Sequence, residues 1–116
     1  MNRFFSKKCL PIALNTPALS PLMIANHLQE LGSGWDLHQN SKIQKVFKFS
    51  TYDTALKFVQ EVAQLAKLEN HHPAILLEYK KVTLMITTHR IKGLSENDFI
   101  LAAKTDAIFL TFHEKS

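Results

Sequence analysis

The chain has 116 residues, 46% of them hydrophobic and 21% charged, with a net charge of +4 at neutral pH. That length suits one domain with a single core, and no apolar run approaches the roughly 20 residues of a membrane helix. Cys9 is the only cysteine, which excludes a disulfide framework and fits a reducing compartment, the cytoplasm.

Residues 1–21 contain Arg3, Lys7 and Lys8 and no acid, a balance shared with transit peptides. Pro11, Pro17 and Pro21 would break a long amphipathic helix there, so residues 1–18 read as an ordered or half-ordered arm before a domain spanning 19–116. The other basic residues are scattered, among them Lys42, Lys45, Lys80, Lys81, Arg90 and Lys92. No aromatic-interleaved basic stripe and no nucleic-acid-binding motif accompanies them, so the charge reads as solvated lysines.

Ser20-Pro21 opens a first helix with a cap and a proline at the first helical position. Ile24, Ala25, Leu28 and Leu31 form its apolar stripe and Gly32 ends it, leaving His27 as an expected surface histidine. Trp35 to His38 and Phe47 to Phe49 alternate, with Gln39-Asn40-Ser41 between them, which predicts a hairpin of strands near 34–39 and 43–49. Ser50-x-x-Asp53 resembles a capping box. Ala55, Phe58, Val59, Val62, Ala63 and Ala66 then fall on one face of a second helix, with Asn70 as its C-terminal cap. The runs Ile75–Leu77 and Val82–Thr88, separated by Lys80-Lys81, predict a second hairpin. Gly93 allows a turn into a third helix capped by Ser95, with Phe99, Ala102, Ala103, Ala107 and Leu110 facing the core. The expected fold is α+β in the order α-β-β-α-β-β-α. It is a single domain with a four-stranded antiparallel sheet and its helices packed on one face.

The second hairpin organises the chemistry. Its outer ends carry His71-His72-Pro73 at the entrance and His89 at the exit, and Asp98 follows in the third helix. In the last strand Val82, Leu84 and Ile86 share one face; Thr83, Met85, Thr87 and His89 share the other. Three converging imidazoles invite a metal reading, but zinc and iron sites usually add a carboxylate or a cysteine. Adjacent residues on an extended segment also point in opposite directions, so His71 and His72 are poorly placed to chelate one ion. Acid–base work suits them better, because an unperturbed imidazole titrates at about 6.5. Asp98 fits a helix cap whether or not it also orients a histidine. Trp35 and Tyr79 read as core aromatics, and Pro73 as stiffening the strand entry.

His-His-Pro, an aromatic at Tyr79, His89 and Asp98, in this spacing, resemble the signature of the pterin-4a-carbinolamine dehydratase family. The resemblance extends from about Leu19 to Leu110, includes Gly34-Trp35 and IKGLSENDFILAAKTD, and is of the bacterial type. It departs at Lys67, where many members carry Glu, and at Asn70, where some have Asp. Ile12 stands where some relatives have a second cysteine. The resemblance implies loss of water from a 4a-hydroxytetrahydropterin to give the quinonoid dihydropterin, in recycling of the tetrahydropterin cofactor. It implies His71, His89 and His72 as catalytic residues, with proton transfer falling to His71 and His89, and His72, Asn70 and Asp98 as pterin-binding ones. Pterin is then the substrate, and no metal or organic cofactor is implied. An aromatic amino acid hydroxylase would supply the substrate, and relatives are dimers or tetramers. Vertebrate members also serve as dimerisation cofactors of a homeodomain transcription factor, so a non-catalytic binding protein on the same fold is the alternative. A small metal-dependent hydrolase is a third reading.

Overall fold

Helices and pairs of strands follow one another in the order that the sequence pattern predicts. The computed structural model describes residues 2–32 and 34–115, with side chains as far as Phe112. Met1 of the expected arm and Ser33 and Ser116 of the expected domain lie outside the described residues. The elements are α1 (Pro21–Leu31), β1 (Asp36–His38), β2 (Lys42–Lys48), α2 (Tyr52–Glu69), β3 (Ala74–Glu78), β4 (Lys81–Ile86) and α3 (Glu96–Lys115). A 3-10 turn, His89–Ile91, precedes α3.

All strand pairs are antiparallel, in the spatial order β1-β2-β4-β3. The two hairpins are therefore joined through β2 and β4, which places β4 inside the sheet. Ile43, Phe47, Val82, Leu84 and Ile86 lie on one sheet face at 1% exposure or less. Ala55, Phe58 and Val62 of α2 and Phe99, Leu101 and Ala102 of α3 join them in one core, so the helices cover that face. Removing a side chain such as Leu84 to alanine should cost about 2–5 kcal/mol. The opposite face is open: Val46 and Leu76 flank Thr83 in register and are 42% and 47% exposed.

The helix ends show how local chemistry sets the elements. Ser20 caps α1 by accepting from the Met23 N–H at 3.3 Å, and Gly32 at φ 78° ends it. In α2 the cap is one residue later than the sequence suggested. Thr51 has extended backbone and its Oγ1 accepts from the Thr54 N–H at 3.1 Å. Asp53 instead sits in the first turn, where the helix dipole favours an acid.

Other expectations fail for packing reasons. His27 is buried, because its position on α1 falls between Ile24 and Leu31 and the N-terminal arm folds back over it. Its ring lies 5.2 Å from Phe4 and meets Phe99 edge-on at 5.0 Å. Ala63 is exposed, because the buried face of α2 centres on Ala55, Phe58, Val62, Ala66 and Glu69. Leu110 is 50% exposed, because beyond Thr105 the side of α3 that meets the core carries Ile108, Phe109 and Phe112 instead. Tyr79 is also outside the core: it occupies the β3–β4 turn at φ 53°, is 69% exposed, and stacks on Tyr52. Trp35 is buried as expected, donating to Asp106 at 2.9 Å beside the Lys45–Asp106 ion pair.

Phe4 and Cys9 of the arm are buried against α1 and α3. That cover explains why Phe99 to Ala103 are buried in succession, when a helix on a sheet alone would bury a single stripe. Glu69 in the last turn of α2 anchors the arm, accepting from the Cys9 N–H at 2.8 Å and pairing with Lys104 at 2.6 Å. Burial pushes the Glu69 carboxyl up, but the Lys104 and Cys9 donors outweigh it and hold it below its usual range. Burial foremost, then the Glu69 carboxylate, pushes the Cys9 thiol up to about 12, so it stays protonated and unreactive.

Acid should weaken this packing. Burial, with the charge of Arg3 adding to it, lowers the pKa of His27 from 6.5 in the fold. Unfolding therefore takes up a proton below about 6.5, and stability that is complete above that value declines as pH falls. Glu69 acts in the same sense at lower pH, its contribution being present above about 4.5 and lost as pH falls through its lower folded value. The thermal midpoint should fall between about pH 7 and pH 5, less steeply in His27→Leu than in the wild type. Equal slopes in the two proteins would refute titration of His27 on unfolding.

Candidate functional site

The site begins where α2 ends. Asn70 adopts a left-handed conformation, φ 53° and ψ 42°, which turns the chain out of the helix. Its N–H reaches Lys67 O at 3.3 Å and the next N–H, of His71, reaches Ala66 O at 3.2 Å. This pair of bonds is a Schellman closure, and it fixes the direction in which His71 leaves the helix. Pro73 then holds the entry to β3 extended. His71 and His72 diverge accordingly: His71 is half-buried and His72 is exposed.

His71 is met from below by Asp98. Its Nε2 lies 2.6 Å from Asp98 Oδ1, and Asp98 is wholly buried. The second oxygen, Oδ2, accepts from the Ser95 N–H at 2.8 Å and from the Thr88 hydroxyl at 2.8 Å. Thr88 has a single hydroxyl proton, so Ser95 Oγ, 2.7 Å away, must be the donor to Thr88. A carboxylate without solvent needs such donors to offset its desolvation. The capping arrangement at the start of α3 and the support of His71 therefore use different oxygens of one side chain.

His89 and Arg90 occupy the 3-10 turn between β4 and α3, and both are exposed. The turn is closed at its base: Thr88 N–H donates to Gly93 O at 3.0 Å, and Gly93 N–H returns to Thr88 O at 3.5 Å. Gly93 is buried against Ala18, and an added Cβ would lie 2.6 Å from the Ala18 Cβ. A larger residue at 93 would therefore push the turn off the arm. The Leu19 N–H also donates to Leu94 O at 2.9 Å.

These segments enclose a cleft of about 370 Å³, within the size range of small-molecule sites. Asn70, His71 and His72 form one wall, and Thr87, Thr88, His89 and Arg90 form another. Leu10, Pro11 and Ile12 of the arm supply the remaining side, with Asn97 at their base. Asn97 holds the arm in two directions, its Oδ1 accepting from the Leu10 N–H at 3.0 Å and its Nδ2 donating to Leu10 O at 2.7 Å.

The three histidines and Asn70 named from the sequence are thus brought to one cleft. Asp98 lies behind His71 and reaches the cleft only through it. Sequence reasoning missed the arm wall, Asn97 and Arg90. The proline-spaced apolar residues of the arm were a signal of a packed segment, but nothing local said against what. Asn97 carried no signal, since its partner is 87 residues away in sequence. Among the described residues no three His, Cys, Asp or Glu side chains gather as a metal shell.

Chemically, the cleft presents imidazoles, hydroxyls, an amide and one guanidinium, and one of the imidazoles is held by a buried acid. That combination can bind a flat polar molecule and exchange protons with it.

Comparison with known proteins bears on the chain as a whole. The family model described as pterin 4 alpha carbinolamine dehydratase matches residues 17–108. A protein of Alkaliphilus metalliredigens (strain QYMF), provisionally named pterin-4-alpha-carbinolamine dehydratase, is 41% identical over 91% of this chain and 96% of its own length. A protein of Azoarcus sp. (strain BH72), named in the same way, is 41% identical over 93% of this chain and 92% of its own. Among solved structures, a transcriptional coactivator/pterin dehydratase from Brucella melitensis superposes with a TM-score of 0.74 at 30% identity. The alignment covers 78% of this chain and 97% of that one. A pterin dehydratase-like RuBisCO assembly factor of the alpha-carboxysome, at 22% identity and a TM-score of 0.58, shares the fold. The family model spans most of the chain and the relatives match it over nearly its whole length, so the chain belongs to the pterin 4 alpha carbinolamine dehydratase family.

Proposed function

We propose that the cleft removes water from a 4a-hydroxytetrahydropterin, giving the quinonoid dihydropterin, by histidine acid–base catalysis. The observation that carries this reading is the 2.6 Å contact between His71 Nε2 and the buried Asp98, in a cleft that His89 also lines. Asp98 Oδ2 already accepts two donors, and Oδ1 accepts from His71 Nε2. The proton of the neutral ring then sits on Nε2, and Nδ1 is the basic atom.

Dehydration needs one proton delivered to the departing hydroxyl and one removed from the pterin ring. The two balance, and no electrons are transferred. We assign these transfers to His71 and His89 and the positioning of the pterin to His72 and Asn70. Asp98 acts through His71, fixing its ring and stabilising it when protonated. No step in this scheme calls for a metal or an organic cofactor. The place of the reaction is recycling of a tetrahydropterin, with an aromatic amino acid hydroxylase as the source of substrate. We place the protein in the cytoplasm, a reading supported by a single cysteine, Cys9, which has no second cysteine to pair with.

The test is dehydration of a freshly generated 4a-hydroxytetrahydropterin, followed by ultraviolet absorbance with and without the protein. His71→Ala and His89→Ala should each lower kcat by about 10²–10⁴-fold, while His72→Ala should mainly raise KM. All three should keep the wild-type circular dichroism spectrum. Unchanged kinetics in both His71→Ala and His89→Ala would remove the acid–base mechanism.

Asp98→Asn separates support of the helix from support of the ring. The amide oxygen can still accept from the Ser95 N–H but cannot stabilise an imidazolium. We expect a well-folded variant with a kcat lowered at least tenfold. Full activity with unchanged stability would confine Asp98 to capping α3.

A binding-protein reading on the same fold draws support from the coactivator half of the Brucella structure's name and from the open sheet face of Val46, Thr83 and Leu76. That face is more easily covered by a second copy than left in water, so we expect a dimer or tetramer in either case. A monomeric mass by light scattering at micromolar concentration would contradict this expectation.

A further inference from the structure

Resting on the dehydratase reading, the geometry points to Arg90 as a specificity-determining residue that selects a pterin whose side chain ends in an anion, a phosphate or a carboxylate. Arg90 lines the cleft, is exposed, and forms no ion pair with any described residue. No carboxylate lines the cleft with it. The acids on neighbouring elements are committed elsewhere: Asp98 to His71 and Thr88, Glu96 to Lys7 and Arg3, and Glu69 to Lys104. Arg90 is therefore the one permanent cation among the cleft-lining residues.

The turn that carries it is fixed at both ends. The Thr88–Gly93 bonds close its base, Thr87 Oγ1 ties the end of β4 to the first hairpin by donating to Ser41 O, and Ala18 packs against Gly93. Lys92 closes the turn in a left-handed conformation, its N–H bonded to His89 O. Arg90 is thus presented beside His89 from a braced backbone, so only its side chain has to be ordered when it meets a ligand. A ring held among the histidines would direct its substituent toward the exposed side of the cleft. A guanidinium there can bind a phosphate or a carboxylate through two parallel N–H donors.

The test is binding of three stable dihydropterins by titration calorimetry. They share one ring and differ in ending in a neutral hydroxyl, a carboxylate or a phosphate. We expect wild-type protein to bind at least one anionic probe about tenfold tighter than the neutral one, the scale of one charge-assisted contact. The preference should shrink as salt is raised, because the site is exposed. In Arg90→Gln the ratio of anionic to neutral affinity should fall to about one, and Arg90→Lys should restore part of it. A purely structural role for Arg90 would weaken all three probes together and leave the ratio unchanged, which would overturn the proposal. So would equal binding of the three probes by the wild type, while leaving the pterin site standing. Failure of every dihydropterin to bind would overturn the proposal and the dehydratase reading together.

Discussion

A carboxylate with no access to water holds the site together. Asp98 can stay in the interior only if its oxygens are occupied, and three segments supply the donors: the entry of α3, the end of β4, and the junction of α2 with β3. Losing any of these donors would leave a buried acceptor unsatisfied, at a cost of about 1–3 kcal/mol, more if it is charged. The buried acid therefore positions these segments as much as they position it. Helix capping and histidine orientation are not competing roles here, because a carboxylate has two oxygens and each role takes a different one.

The N-terminal arm is bound by the same logic one layer out. Glu69 faces the arm from α2 and Asn97 faces it from α3, and both bond to backbone atoms of Cys9 or Leu10. Backbone partners make the register of the arm insensitive to its own side chains, while Phe4 adds buried apolar surface over His27 and Phe99. Leu10, Pro11 and Ile12 reach the cleft because Cys9 and Leu10 are pinned. The arm is then one side of the site, and its position depends on Asn97, the neighbour of Asp98 in α3.

What was legible in the sequence follows the range of the interaction responsible. Periodicity and caps are local, so α1, α2 and both hairpins could be read, as could the Asn70 turn and the buried stripe of β4. The cap of α2 slipped by one residue because Ser50, Thr51 and Asp53 all satisfy the same local rule. His27 and Tyr79 were misplaced by residue type: a histidine was set outside and a tyrosine inside, and long-range packing reversed both. The sheet order was illegible because the β2–β4 pairing joins strands separated by a whole helix. Gathering the three histidines was legible because a hairpin brings its ends together whatever surrounds it. Asn97 and the arm wall were not, since their contacts cross most of the chain.

The location of the cleft follows from what each kind of backbone can offer. In the middle of a helix or strand, N–H and C=O groups are consumed by their own ladders and side chains are committed to packing. At the ends of α2 and β4 and the start of α3, backbone donors remain unspent, and the Ser95 N–H is one of them. Four chain segments meet there, and each is held at the cleft by hydrogen bonds to backbone groups. A site built this way is rigid without drawing on the hydrophobic face of the sheet. Its polar residues can therefore serve proton transfer while the core of Phe47, Phe58 and Leu84 supplies the stability. The division also explains why one buried acid carries so much of the arrangement. It is the point at which the capping layer is tied to the His71 ring, through one oxygen turned to the helix entry and the other to the imidazole.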